Sequence, residues 1–183
     1  MKINAHDWLF LTGKAGAGKT YWERAHAKKI PQRRLFILDY NVSDYQDFKN
    51  CNIWNMQSGE PWEVDKFLKI VYQQGNVFTI LSEADNYLRN PSPLMTRYVN
   101  TARNRGIGCM MDAKRAKSVR PEFRTRFNKL ILFKNTLSDD IEYLEAWAGT
   151  GRGSLDMLRT LDTGDHIIVD LDAQKISDTQ KIR

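Results

Sequence analysis

The sequence has no apolar run approaching the roughly 18 residues that a membrane-crossing helix needs, so it reads as a chain that does not insert into a bilayer. Its first residues, Met1-Lys2-Ile3-Asn4-Ala5-His6-Asp7, lack the apolar core of a secretory leader, which points away from export. Cysteine is scarce. Cys51 and Cys109 lie far apart with no partner at metal-binding spacing, so the expectation is two reduced, buried thiols rather than a disulfide framework or a zinc module. Internal repeats, low-complexity tracts and evident linkers are also missing, and 183 residues suit a single domain over 1–183. Acidic side chains are sparse in one stretch: between Arg89 and Lys134 twelve Lys and Arg face only Asp112 and Glu122. That stretch carries +10 within a chain of +6, which leaves −4 for the remainder. Such asymmetry suits a polyanionic partner, and a solvated basic face is the alternative.

What is present is ordinary for a globular chain, 42% hydrophobic and 27% charged, and it is arranged in alternation. Short apolar runs read as strands at Trp8–Leu11, Leu35–Leu38 ending at Asp39, Ile53-Trp54, Val77–Leu81, Ile107–Met111 and Leu130–Phe133. Helical patterns fall between them: from Thr20 to about Lys29, stopped by Pro31; from Trp62 to Gln73, with Val64, Phe67, Leu68 and Val71 on one face; from Leu94 to about Arg103; and from a cap at Ser138-Asp139-Asp140 to Trp147. His166–Val169 and Ala173–Ile176 read as a closing C-terminal hairpin. Strand–helix alternation of this kind predicts an α/β fold with a mostly parallel sheet.

The residues Gly13-Lys14-Ala15-Gly16-Ala17-Gly18-Lys19-Thr20 match the pattern G-x-x-x-x-G-K-[ST] in full, after an apolar strand and at the opening of a helix. The glycines let successive main-chain N–H groups turn inward on phosphate oxygens, and the helix N-terminus adds partial positive charge. In this setting Lys19 reaches the β- and γ-phosphates, Thr20 ligates Mg²⁺, and Tyr21 follows at the rim. ATP and Mg²⁺ are the expected cofactors.

A second element lies at the end of the Val77–Leu81 strand, in Ser82-Glu83-Ala84-Asp85. In many P-loop ATPases an Asp-Glu pair ends this strand, the Asp holding Mg²⁺ through water and the Glu polarising the attacking water. Here Glu83 takes the second position and Ser82 the first, so Ser82 is a metal-side candidate without charge and Asp39 a potential helper. Glu83 as a plain surface carboxylate is the alternative, and Asp85 reads as a helix-start residue. Arg103 and Arg105 precede the Ile107–Met111 strand and are candidates for an arginine finger supplied to a neighbouring subunit, or for caps of the helix C-terminus. Lys114 and Arg115, just after that strand, are candidate γ-phosphate sensors. Lys117, Arg120 and Arg124 are candidates to face DNA phosphates, while Phe123 and Phe127, four apart, read as core-facing.

On Gly13–Thr20, Asp39, Thr79-Ile80-Leu81-Ser82-Glu83, Ala102-Arg103 before Gly106-Ile107, and Ala113-Lys114-Arg115 before the Ile131–Lys134 strand, the chain resembles the FtsK/HerA superfamily of DNA-pumping ATPases, and within it the small genome-packaging ATPases of membrane-containing viruses. The resemblance spans about residues 7–170. It departs from the family at Ser82, usually Asp, and at Lys114, often Gln or Arg. It implies a RecA/ASCE-like three-layer sandwich and a homo-oligomeric ring, hexameric or pentameric, with nucleotide at subunit interfaces and double-stranded DNA through the middle. It further implies a place in the host cytoplasm or on the virion, with capsid-vertex or membrane-associated viral proteins as partners. A small nucleotide kinase, with Arg120–Arg126 as an arginine-bearing lid, and a capsid-assembly ATPase that does not touch DNA are the competing functions.

Overall fold

The computed structural model describes residue 4, residues 6–41 and residues 43–182. Residues 1–3 and 5, which carry most of the amino-terminal reading, lie outside the described residues. Five strands form the parallel heart of the sheet: β1 (Trp8–Thr12), β2 (Leu35–Asp39), β4 (Phe78–Leu81), β5 (Gly108–Ala113) and β6 (Lys129–Phe133). With β3 (Asn52–Asn55), β7 (Asp165–Asp170) and β8 (Lys175–Ile176) the order is β3-β2-β4-β5-β1-β6-β7-β8, and β9 (Gln180–Lys181) pairs with β7. Pairing is parallel from β3 to β6 and antiparallel where β7 meets β6, β8 and β9. Strands β1, β2 and β4 are buried at every position, as a sheet covered on both faces requires.

Side chains alternate between two cores. Trp8 and Phe10 join α2 (Pro61–Gln74), α4 (Pro93–Thr101) and α6 (Ser138–Ala148) on one face, through Phe67, Leu68, Tyr98, Leu144 and Trp147. Leu9 and Leu11 join Trp22 and Ala27 of α1 (Lys19–Ala27) and Tyr45 on the other. The result is the expected three layers, with β5 inserted between the P-loop strand β1 and β4. The hairpin β7–β8 forms as read. One boundary is corrected: Ser138 begins α6 rather than capping it, because Leu137 holds the cap position and no side chain bonds there. The first-turn carboxylates Asp139 and Asp140 are engaged by Arg115 and Lys117 instead. Among the described residues no helix is long and apolar enough to cross a membrane.

Candidate nucleotide site

The loop Gly13–Gly18 leaves β1 and turns directly into α1. Two of its glycines are dictated by space. At Gly13, with φ of 154°, a Cβ would lie 2.7 Å from Phe133 Cβ; at Gly18, with φ of 104°, it would lie 3.2 Å from Gly164 Cα. The loop is anchored by Lys14 N–H to the Lys134 carbonyl at 2.9 Å and by Ala17 N–H to the Lys14 carbonyl at 3.2 Å. The N–H groups of Ala15, Gly16, Gly18, Lys19 and Thr20 make no hydrogen bond within the loop among the described residues. Those free donors at a helix N-terminus form an anion cradle. Buried Lys19 folds back into it, donating from Nζ to the Gly13 carbonyl at 2.8 Å and the Lys14 carbonyl at 3.3 Å, where an incoming phosphate would take over. The Thr20 hydroxyl is without a hydrogen bond among the described residues, and Tyr21 stands exposed on the first turn. The chain's own C-terminal segment walls this site: Gly164 N–H donates to the Ala17 carbonyl and Ile182 N–H to the Gly164 carbonyl.

Glu83, at the tip of β4, adopts φ of 53°, a left-handed backbone that a glutamate enters only when its surroundings impose it. Asp112 imposes it: its Oδ1 accepts the Glu83 N–H at 2.8 Å, and its carbonyl accepts the Ala84 N–H at 2.7 Å. The Glu83 carboxylate meets Lys114 Nζ at 2.8 Å, so the candidate base and one candidate sensor form a single ion pair. Asp112 is 3% exposed, and burial raises its carboxyl to about 7 against the opposing Glu83 N–H bond and the attraction of Lys19. The sequence alone did not single Asp112 out, although an acid ending an apolar strand in the most basic stretch was a usable signal.

Other candidates are placed differently from expectation. The Ser82 hydroxyl donates to the Leu38 carbonyl and accepts from Tyr40 N–H, both at 2.9 Å, so it stitches β4 to β2 instead of standing free for a metal-bound water. Arg115 is turned away from a sensor position, its guanidinium bonded to Asp140 at 2.7 Å and Asp139 at 3.0 Å. Arg124 lies with its guanidinium 3.7 Å from the Tyr143 ring centroid and its Nε buried, withdrawn from a DNA-facing role. Lys117 and Arg120 remain exposed, in pairs with Asp139 and Glu122. Exposed pairs of that kind are worth about 0–1 kcal/mol and yield readily to phosphate. Phe123 and Phe127 are buried as read, which fixes the segment that a kinase would use as a mobile lid. Arg103 sits before β5, at the end of the strands opposite the P-loop, exposed and with no ion pair or ring contact among the described residues. Its neighbour Arg105 is instead stacked on Tyr72. Lys114, Arg115, Lys117 and Arg89, with Tyr40, Glu83 and Asn86, line an open cleft of about 550 Å³ beside the site.

No group of three or more His, Cys, Asp or Glu among the described residues is arranged to hold a metal ion unaided. A divalent ion here would therefore depend on Thr20, one carboxylate and the phosphates of a nucleotide, a donor set that suits Mg²⁺.

No protein-family model and no curated protein matches the sequence. Solved structures do match. The DNA-packaging ATPase of Sulfolobus Turreted Icosahedral Virus superposes with a TM-score of 0.81 at 18% identity, over 99% of this chain and 100% of that one. The genome packaging NTPase of Sulfolobus turreted icosahedral virus 2, in complex with AMPPCP, gives 0.78 at 18% identity over 98% and 100%. VirB4 of Thermoanaerobacter pseudethanolicus gives 0.71 at 8% identity over 96% and 88%. At these identities the likeness is one of fold, and the fold is that of P-loop ATPases that include a viral DNA-packaging enzyme, in agreement with the resemblance drawn from the sequence.

Proposed function

We propose that this chain is an ATP-hydrolysing motor that translocates double-stranded DNA, packaging a viral genome as part of a homo-oligomeric ring. The observation that carries the reading is the pairing of a phosphate cradle with Glu83, set one strand away across β5 and locked in a strained backbone by Asp112. A carboxylate held this way suits proton removal from water more than phosphoryl transfer to an acceptor nucleotide. Support from the fold is its extent: the viral DNA-packaging ATPase is matched along its whole length.

The roles follow from chemistry. Lys19 and the free N–H groups of the loop bind and orient the β- and γ-phosphates, and the Thr20 hydroxyl would hold Mg²⁺, which would supply charge screening of those phosphates. Glu83 takes the proton of the attacking water. Lys114, tethered to Glu83, is placed to exchange that partner for the γ-phosphate and so report its presence. Arg103, free of partners on its own chain among the described residues, acts on the nucleotide of the next subunit. Lys117 and Arg120, beside the cleft, meet DNA phosphates without reading sequence.

The test is the ATPase rate of gel-filtered protein with and without double-stranded DNA. Stimulation supports a DNA motor. Hydrolysis indifferent to DNA supports an assembly ATPase, and phosphate transfer to nucleoside monophosphates supports a kinase.

A further inference from the structure

We propose that the carboxylate turned toward nucleotide-bound Mg²⁺ comes from Asp112 on β5, not from the end of β4; this rests on the nucleotide-binding reading above. Three observations lead there. At the end of β4 the Glu83 carboxylate is paired with Lys114 at 2.8 Å, and the Ser82 hydroxyl is held between the Leu38 carbonyl and the Tyr40 N–H. Asp112 lies on the strand hydrogen-bonded directly to β1 and pairs in register with Leu11, two residues before Gly13. Paired residues of parallel strands project to the same face, and Leu11 packs in the core that contains Ala17 and Trp22, the face on which α1 and Lys19 sit. Finally, Asp112 Oδ1 is fixed by the Glu83 N–H while Oδ2 accepts no hydrogen bond among the described residues.

Distance separates the rivals. Strands are about 4.8 Å apart, so Asp112 starts about 5 Å from the P-loop strand, Ser82 about 10 Å, and Asp39, on β2, about 14 Å. Asp39 also has its Oδ1 bonded to the Asn41 N–H, and its Oδ2 is buried without a partner two strands further from the P-loop strand than Asp112. Glu23, one turn beyond Lys19, is fully buried with one oxygen bonded to the Tyr45 hydroxyl and the other unpartnered. Burial and then the charge of Asp112 disfavour ionised Glu23, while burial and then the charges of Glu83 and Asp85 disfavour ionised Asp112; Lys19 favours the ionised form of both. One residue then performs two tasks: Oδ1 sets the backbone of the general base, and Oδ2 faces the water shell of the ion.

Asp112→Asn separates the tasks, because an amide oxygen still accepts the Glu83 N–H while the charge is gone. The probe is Mn²⁺ with adenylyl imidodiphosphate, the free ion followed by electron paramagnetic resonance. Loss of a group in the outer shell of a metal costs about 10–100-fold in affinity, and a drop of that size is expected in Asp112→Asn. Ser82→Ala and Asp39→Asn should stay within about twofold of wild type. Binding of the nucleotide in EDTA should be unchanged or tighter in Asp112→Asn, since a negative charge beside the phosphates is removed. Wild-type Mn²⁺ affinity in Asp112→Asn, or an equal loss in Asp39→Asn, overturns the assignment. Asp112→Ser provides the same comparison if the asparagine variant unfolds. If wild-type protein takes up no Mn²⁺ with the nucleotide, while binding neither alone, the nucleotide-site reading itself fails.

Discussion

Lys19 stands at the centre of the residue-scale account, because in the absence of phosphate it can satisfy its ammonium only on two loop carbonyls. Lys19→Ala should abolish ATP turnover and sharply weaken binding, measured by phosphate release and a fluorescent ATP titration. Unchanged hydrolysis would remove the phosphate assignment. Glu83→Gln should bind ATP normally and lose about 10²–10⁴-fold in turnover, the range for a general base. Ser82→Asp would press a carboxylate against the Leu38 carbonyl, costing about 1–3 kcal/mol, read as a lowered Tm. A histidine prediction stands apart from the site. Burial pushes His26 down to about 4 from its ordinary 6.5, with Nδ1–H donating to the Trp22 carbonyl at 2.8 Å. Burial lowers His166 too, and its Nε2 accepts from Trp22 Nε1 at 3.0 Å. A value below that of the unfolded chain means the unfolded chain protonates first, so this stability is whole above about pH 6.5 and is lost as pH falls toward 4. Tm should therefore fall between pH 7 and 5, and His26→Gln should reduce the slope; identical slopes would contradict the assignment.

At the scale of elements, β5 and the segment after it carry more of the design than their sequence announces. Arg115 closes over the start of α6 through Asp140, which has no exposed surface. Arg115→Ala leaves that carboxylate buried with only the Lys117 N–H at 3.4 Å, and should cost about 1–3 kcal/mol in chemical denaturation, with nucleotide affinity preserved. A loss of nucleotide affinity with stability intact would restore Arg115 to a sensing role. The strands were legible because a sheet covered on both faces demands continuous apolar runs, and the P-loop because it needs glycine at fixed places, as at Gly13 and Gly18, where a Cβ would crowd Phe133 and Gly164. The partners of the charged residues were not legible. Nothing in the spacing of Ser82 and Leu38, Glu83 and Lys114, or Arg115 and Asp140 signals that strand order brings them together; these pairs lie 25 to 44 residues apart in the chain. The run read as sensors at Lys114 and Arg115 and DNA-facing residues at Lys117, Arg120 and Arg124, whereas Arg115 and Arg124 are turned onto α6.

At the scale of the whole molecule, the phosphate cradle lies at one end of the parallel strands and Arg103 at the other. On the proposed reading, an arginine so far from its own loop would serve catalysis in a ring, at the cradle of the next subunit. Arg103→Ala should lower turnover by about 10³–10⁵ with ATP binding kept, and mixing it with Glu83→Gln subunits should recover activity at interfaces that pair an intact arginine with an intact glutamate. Lys117→Ala and Arg120→Ala should leave basal hydrolysis unchanged and reduce the salt slope of DNA binding by about one unit for each phosphate no longer neutralised. The central claim is a DNA-driven ATPase, and the most direct measurement is steady-state ATP hydrolysis of gel-filtered protein as double-stranded DNA is titrated in. The account predicts a rate that rises and saturates with DNA, falls steeply with salt, and vanishes in Glu83→Gln. A rate indifferent to DNA at every salt concentration, from a protein that stays monomeric, would contradict it.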